Sequence, residues 1–557
     1  MQRHRRNPFR LLLAATAVAL AACASDAGDS SPSPTTNTSP SSVTALPAST
    51  TSPTTTPAPA VNTASPTTTT TATPQVSIPA AEPTMATPES SERLLEEAGV
   101  ALAATSCEGL IVGPTAVCGT AAVPADWTEP DDAIIDIAYV LIPATAGVST
   151  GTVIPFMGGP GESITAQIER LAPLSDAVPD SDLLIVDVRG AGRSGALTCA
   201  ALDDATEVAV GAAQVSDTGI CGEQIGPKRN NYTTVASVLD IESIRRELDL
   251  EAPSLIGFSY GTFMAQTYTT LFPNEVRGAV LDGAFPIEQT GWGTEIPTNI
   301  ESVLELRCSR TNACPEGAAG VVASIRAIAE SLAENPIDIP GAEQLLTEGA
   351  FASIVQFTAQ NSEMGSFVEM MSAASDGDFS ELTDVTAASL RRSLVGPTSN
   401  SPALYSAIAC NDYAAPFAFD DTLSARRPDF DDRLNLLPND EFGPFSKQGW
   451  VDSGWEEGDM CLEWPAPDIA PELRIPRGVK RPSVPVLVVN GDIDMQTSLA
   501  GARRVAAVYP NSVLLTVPNA GHVALPVSPC AAEIEFAFLA NPTLPSSNAC
   551  LDQPVPE

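Results

Sequence analysis

The chain of 557 residues is short of histidine, of basic side chains and of long apolar runs, and each shortage closes a class of function. Only two histidines occur, His4 and His522. With so few imidazoles, and no CxxC pair or Cys/His cluster at zinc spacing, no metal site and no cofactor is expected. Lys and Arg number 28 against 68 Asp and Glu, a net charge of −40. Nucleic acid is a poor partner for such a surface, which better suits solubility or attraction to cationic substrates. The acids form no extended block, so they read as a solvated face rather than a tail.

One apolar stretch stands out, "LLLAATAVALAA" at 11–22. It falls short of the ~20 residues that span a bilayer. Behind Arg3, Arg5, Arg6 and Arg10 it has the layout of an export signal. The signal ends in "LAAC", which resembles a bacterial lipobox, so Cys23 is expected to carry lipid as the first residue of the mature chain. That would hold the protein at the outer face of the bacterial plasma membrane, or leave it released to the cell wall or beyond. Removing this segment takes four arginines with it, leaving 24 basic against 68 acidic residues, a net of −44.

Residues 24–90 are almost all Ser, Thr, Pro and Ala. Such a composition buries too little apolar surface to offset its ordering entropy, and predicts a disordered tether. Residues 91–557 are long for one core, which predicts a core in two parts, 91–285 and 481–557, around an insertion at 286–480. Without Cys23 ten of the 11 cysteines remain, an even number that suits an oxidising compartment. Pairing nearest neighbours gives Cys107–Cys118, Cys199–Cys221, Cys308–Cys314, Cys410–Cys461 and Cys530–Cys550.

Gly-x-Ser-x-Gly occurs twice, so the pattern alone cannot choose a nucleophile. "GVSTG" around Ser149 lies between two strand-like runs with no helix after it, and reads as a hairpin loop. "GFSYG" around Ser259 follows the strand-like "PSLIGF" and precedes the helix-like "TFMAQTYTTLF". Strand, tight turn and helix are the setting that exposes a serine Oγ and aims helix N-terminal N–H groups at a developing oxyanion. A serine nucleophile needs a base, and His522 is the one histidine left after the signal. It sits in "PNAGH", just past the strand-like "VLLTV". The preceding strand "VPVLVV" leads to Asp492 and Asp494, either of which could orient His522. The order Ser, Asp, His is that of α/β-hydrolases.

Four stretches carry a family resemblance: "GGPGES" (158–163), "DVRGAGRSGALTC" (187–199), "GFSYGT" (257–262) and "GDIDMQT" (491–497) with "AGH" (520–522). Together they resemble proline-iminopeptidase-type serine peptidases, in particular their secreted tripeptidyl-aminopeptidase-like branch. The resemblance implies an α/β-hydrolase core, a mostly parallel sheet flanked by helices, with a large, mainly helical lid insertion. It implies Ser259 as nucleophile, His522 as base and, by the family's Gly-x-x-Asp pattern, Asp494 rather than Asp492 as the acid. The oxyanion would be held by the N–H groups of Tyr260 and of the Gly158–Gly159 loop, with Gly159 favoured. Met157 and Ser498 depart from the family, which often has His and Pro there. Asp187, Arg189 and Arg193 are expected to form an ion-paired loop beside the site.

The expected activity is release of short peptides or single residues from free N-termini through an acyl-enzyme. A free ammonium needs a carboxylate partner. Glu162 beside the oxyanion loop is one candidate; Asp412 and Glu463, brought together if Cys410 pairs with Cys461, are others. A carboxylesterase or lipase of the cell envelope with the same triad is the alternative, and an inactive binding lipoprotein a third reading.

Overall fold

The computed structural model describes residues 85–203, 212–289, 291–342, 344–393, 398–454, 457–546 and 550. The expected export signal, Cys23 and most of the expected tether lie outside the described residues. The globular body begins slightly before position 91. A helix spans Pro88–Glu97, with Pro88 in its first turn and a reciprocal capping box between Thr87 and Ser90. Leu94 of that helix is buried in the core. Proline and threonine here start a helix, although in the preceding stretch the same residues dominate a low-complexity composition.

The strands are β1 (Ala101–Thr105), β2 (Val117–Pro124), β3 (Ile134–Ile142), β4 (Thr152–Phe156), β5 (Asp182–Val186), β6 (Pro253–Phe258), β7 (Gly278–Asp282), β8 (Ile337–Asp338), β9 (Leu345–Leu346), β10 (Val486–Gly491) and β11 (Ser512–Val517). Nine of them form one sheet in the order β1-β2-β3-β5-β4-β6-β7-β10-β11, and β8 and β9 make a short separate pair. From β5 to β11 the neighbours run parallel, whereas β1, β2 and β3 form an antiparallel edge. The central strands are continuous apolar runs because helices cover both faces. Every residue of β4, β6, β7 and β10 is buried. The loop carrying Ser149 joins β3 to β4, but these are not hairpin partners, since β5 lies between them. Ser149 Oγ is spent on the carbonyl of Gly151, 2.8 Å away.

The expected insertion lies between β7 and β10 and is mainly helical, from Glu295–Thr311 to Glu457–Met460. Its apolar cluster, with Ile325, Phe351, Phe367 and Trp450, takes in Cys199, Val215, Cys221, Ile493 and Met495 from the core and is distinct from the clusters on the two faces of the sheet.

Among the described residues four disulfides are present: Cys107–Cys118, Cys308–Cys314, Cys410–Cys461 and Cys530–Cys550. The fifth expected pair is not bonded. Cys199 and Cys221 are buried free thiols. The Cys199 Sγ is directed to Gln224 Oε1 at 3.3 Å, on the same helix, Ala212–Ile225, that carries Cys221. Burial, reinforced by the adjacent Cys199, pushes the Cys221 thiol pKa up, which keeps that thiol protonated.

Candidate active site

Ser259 stands between β6 and helix Tyr260–Leu271, at φ +55° and ψ −122°. A non-glycine residue at positive φ is strained and has to be held by its surroundings. The two flanking glycines are what allow the turn. A Cβ on Gly257 would come within 2.3 Å of the Gly261 carbonyl, and one on Gly261 within 2.2 Å of the Phe156 carbonyl. The chain therefore crosses itself too closely for any side chain at either position. The Ser259 N–H donates to the carbonyl of Asp282 at 3.1 Å, and the Thr262 Oγ1 to the Ser259 carbonyl at 2.7 Å.

The glycine-rich loop after β4 lies against this turn, a Cβ on Gly158 falling 3.3 Å from Ser259 Cβ. Gly159 has φ +101°. Tyr260 begins the helix, so its N–H is one of the four with no partner inside it. Its ring is buried and its hydroxyl shares a 2.8 Å hydrogen bond with Thr234 Oγ1. The far end of the loop is tied down by Asp187, which accepts from Ser163 Oγ, Thr165 N and the Arg193 N–H. Of the three residues expected to form an ion-paired loop, only Arg189 is ion-paired, and its partner is the fully buried Asp240, 2.6 Å away. The Arg193 guanidinium instead donates to the Glu108 carbonyl.

His522 and Asp494 meet directly. Nδ1 is 3.0 Å from Asp494 Oδ2 and 3.2 Å from Oδ1. Asp494 is fully buried and also accepts from the N–H groups of Gln496 and Thr497 and from Thr497 Oγ1, each at 2.8 Å. Those donors hold the carboxylate in place, and through Nδ1 it fixes the ring so that Nε2 is left for chemistry. Burial lowers the His522 pKa, but the charge and hydrogen bond of Asp494, with Asp282 and Glu162 beyond it, bring it above the ordinary value. Asp492 is turned away, forked by Arg310 from the insertion and capped by the Asn519 N–H. The Ser259 hydroxyl has no hydrogen-bond partner among the described residues, a contact that in unliganded hydrolases often closes only around substrate.

The three expected amine-binding acids separate. Glu162 is 9% exposed and sits beside Gly159, its Cγ 3.5 Å from where a Cβ there would lie. Its one hydrogen bond comes from Gln167 Nε2 at 3.1 Å, and burial raises its pKa to about 7. Asp412 is buried and occupied: its Oδ2 accepts the N–H and Oγ1 of Thr234, both at 2.6 Å, so it caps a helix and is closed to an ammonium. Glu463 is exposed, its backbone and Cβ packed on Gly219. The Cys410–Cys461 bond forms, but Glu463 faces outward two residues on.

Several residues were not picked out from the sequence. Asp282 accepts from the N–H groups of Ala524 and Leu525, just after His522. From the insertion, Gln356 and Gln360 bond both main-chain groups of Met495, and Asn299 bonds the Asp494 carbonyl. No local pattern marks such contacts, which join positions more than 130 residues apart.

This arrangement is that of an α/β-hydrolase. A model of the alpha/beta hydrolase fold matches residues 151–307, and one described as TAP-like protein matches 447–550. Among curated proteins, Serine protease Hip1 of Mycobacterium tuberculosis is 26% identical over 78% of this chain and 87% of its own length. Tripeptidyl aminopeptidase of Streptomyces lividans is 25% identical over 74% of this chain and 79% of its own. Carboxylesterase B of M. tuberculosis is 24% identical over 63% and 71%. The chain is a TAP-like serine peptidase of the α/β-hydrolase type.

Proposed function

We propose that the protein is an exported aminopeptidase that removes short peptides from free N-termini, with Ser259, His522 and Asp494 as its triad. Ser259 Oγ attacks the scissile carbonyl while His522 Nε2 takes its proton. The N–H groups of Tyr260 and Gly159 receive the oxyanion, each worth about 3–4 kcal/mol in characterised sites. His522 then protonates the leaving amine, and water repeats the cycle on the acyl-enzyme. The helical insertion serves as a lid that limits which chain ends reach Ser259. Export is supported by the signal layout and four disulfides, and a lipid on Cys23 would anchor the chain. No helix among the described residues is long and apolar enough to cross a membrane.

Glu162 carries the choice of aminopeptidase. It is a carboxylate beside the nucleophile turn whose partner among the described residues is the Gln167 amide, and the charge of Arg170, which donates to that amide, reaches Glu162 only from beyond it. A substrate ammonium supplies the missing cation, and the charge-assisted bond returns the acid to its ionised form. Similarity to Carboxylesterase B favours ester hydrolysis by the same serine as the second reading.

The test compares a tripeptide nitroanilide bearing a free amine with its acetylated twin, using Ser259→Ala as control. Cleavage of the free form alone supports the aminopeptidase. Equal cleavage of both would point to an endopeptidase or broad acyl hydrolase. Turnover of a nitrophenyl ester with neither peptide cleaved would select the esterase.

A further inference from the structure

Asp412 ends helix Pro402–Asp412 of the insertion, yet its carboxylate is spent on the hydrolase core. It holds Thr234, the first residue of helix Thr234–Glu247, and Thr234 holds Tyr260, the residue after the nucleophile. All three are buried. The Thr234 N and Oγ1 each lie 2.6 Å from Asp412 Oδ2, and Oγ1 lies 2.8 Å from the Tyr260 hydroxyl. An ionised carboxylate has no proton to give, so it orders the chain: the Thr234 hydroxyl donates to Asp412 and accepts from the Tyr260 O–H. Burial raises the Asp412 pKa to about 7, against the hydrogen bonds from Thr234 and the charge of Arg477.

The neighbours of Asp412 fix it in turn. Cys410 is bonded to Cys461. Asn411 Nδ2 donates to the carbonyls of Arg229 at 2.8 Å and Tyr232 at 3.0 Å, in the segment that leads into helix Thr234–Glu247. Arg477 donates to the main-chain carbonyls of Asp412 and of Ile287, beyond β7. The insertion thus grips the start of that helix through two consecutive side chains. What the grip reaches is the nucleophile turn. Ser259 sits at φ +55°, and a strained turn keeps its geometry only where the surroundings over-determine it. The Tyr260 ring lies stacked on Phe263, 6.0 Å between centroids, a contact with little directional preference. Its hydroxyl adds a directional tether at the far end of the ring.

We propose that Asp412 and Thr234 are positioning residues for the oxyanion hole: through the Tyr260 hydroxyl they fix the first turn of helix Tyr260–Leu271 and so aim the Tyr260 N–H at the developing oxyanion. The inference rests on the reading of Ser259 as nucleophile and Tyr260 as oxyanion donor, and holds whether the acyl group comes from a peptide or an ester. An oxyanion exists only along the reaction path, so losing this support lowers kcat and leaves KM nearly alone. The insertion then has a part in the chemistry as well as in access to Ser259.

The test is steady-state kinetics on the whole protein, with the free-amine tripeptide nitroanilide and a nitrophenyl ester as substrates and Ser259→Ala as control. Thr234→Val keeps the shape and the N–H but removes the hydroxyl; it should lower kcat about 10- to 100-fold, the cost of a small misplacement, with KM within about twofold. Thr234→Ser keeps the hydroxyl and should stay within about twofold of wild type in kcat. Tyr260→Phe should match Thr234→Val, and the double variant should be no slower than either, since both break one chain. Circular dichroism checks that each variant is folded; if Thr234→Val is not, Tyr260→Phe with Asp412→Asn carries the same comparison. An unchanged kcat in Thr234→Val, a Thr234→Ser variant equally slow, losses that multiply in the double variant, or a raised KM with kcat intact would each overturn the proposal. Turnover that survives Ser259→Ala would instead remove the nucleophile reading beneath it, so the two failures are told apart.

Discussion

The main-chain carbonyl of Asp282 accepts the N–H of Ser259 at 3.1 Å, while its carboxylate accepts the N–H groups of Ala524 and Leu525 at 2.8–3.0 Å. One buried residue thus holds both the turn that strains Ser259 and the loop that presents His522. Its neighbour Gly283 packs on the imidazole, where a Cβ would sit 3.3 Å from Cε1. Burial brings the Asp282 pKa up to about 6, against the pull of the two N–H donors. Asn at this position keeps the shape but loses the charge and one acceptor. Asp282→Asn should lower kcat about 10- to 100-fold with little change in KM, the cost of a small misplacement of reacting groups. Because Asp282 helps raise the His522 pKa, the acid limb of kcat/KM should also move to lower pH. A loss of activity without that shift would make Asp282 merely structural.

The two aspartates after β10 should differ sharply. Asp494 bonds Nδ1 of His522, whereas Asp492 is held by Arg310 and Asn519. Asp494→Asn should cost about 10⁴ in kcat, as an amide stabilises the wrong imidazole tautomer. Asp492→Asn should stay within about tenfold, since it loosens only a contact between the insertion and the loop. Steady-state kinetics on folded variants decides, and the reverse ranking would sink the assignment.

Glu162 and His522 predict separate pH signatures. The imidazole must be neutral to act as base, and its pKa is raised, so hydrolysis of a neutral ester should rise with pH through a midpoint above the ordinary ~6.5. A peptide with a free amine needs, in addition, an ionised Glu162, whose pKa is raised to about 7 in the empty site. Its kcat/KM should therefore climb more steeply on the acid side. Glu162→Gln should raise KM for free-amine peptides about tenfold or more and leave the acetylated or ester substrate nearly unchanged. An equal effect on both substrates would show that Glu162 supports the loop rather than the amine.

How legible these features are in the sequence depends on their range. β6, the turn at Ser259 and its helix form one contiguous segment, and β10 with Asp494 another, so apolar runs and glycine spacing suffice to find them. The placement of β5 between β3 and β4 has no local signature, because neighbours in a parallel sheet are chosen by crossover packing. Asp282 reads as a polar strand end, and only the folded chain brings Ala524 to it across 242 positions. Glu463 shows the opposite failure. Its expected approach to Asp412 rests on a disulfide that does form, yet a bond between neighbouring backbones does not fix which way a side chain two residues away points. The Cys199–Cys221 pairing failed for a related reason: closeness in sequence and an even count do not set the direction of a thiol.

Glu535 provides a test of stability independent of catalysis. It lies in helix Pro529–Ala540, is fully buried, and neither carboxylate oxygen has a hydrogen-bond partner among the described residues. Burial, and then the charge of Asp282, drive its pKa well above that of a free glutamate. The folded state therefore keeps a proton that the unfolded chain releases above its ordinary value near 4.3. With more protons bound in the folded form, stability falls as pH rises through that window toward the folded pKa. Glu535→Gln removes the titration and Glu535→Met the unpaired polar group as well. Both should stabilise the protein at pH 8, Met by roughly 1–3 kcal/mol, the cost of an unsatisfied buried polar group. The gain should shrink at pH 4, where the wild-type acid is protonated in the folded state and mostly protonated in the unfolded chain as well. Thermal unfolding at the two pH values reads this out. A variant no more stable than wild type at pH 8, or equally stabilised at both, would mean that the carboxylate finds a partner in solution and carries no strain.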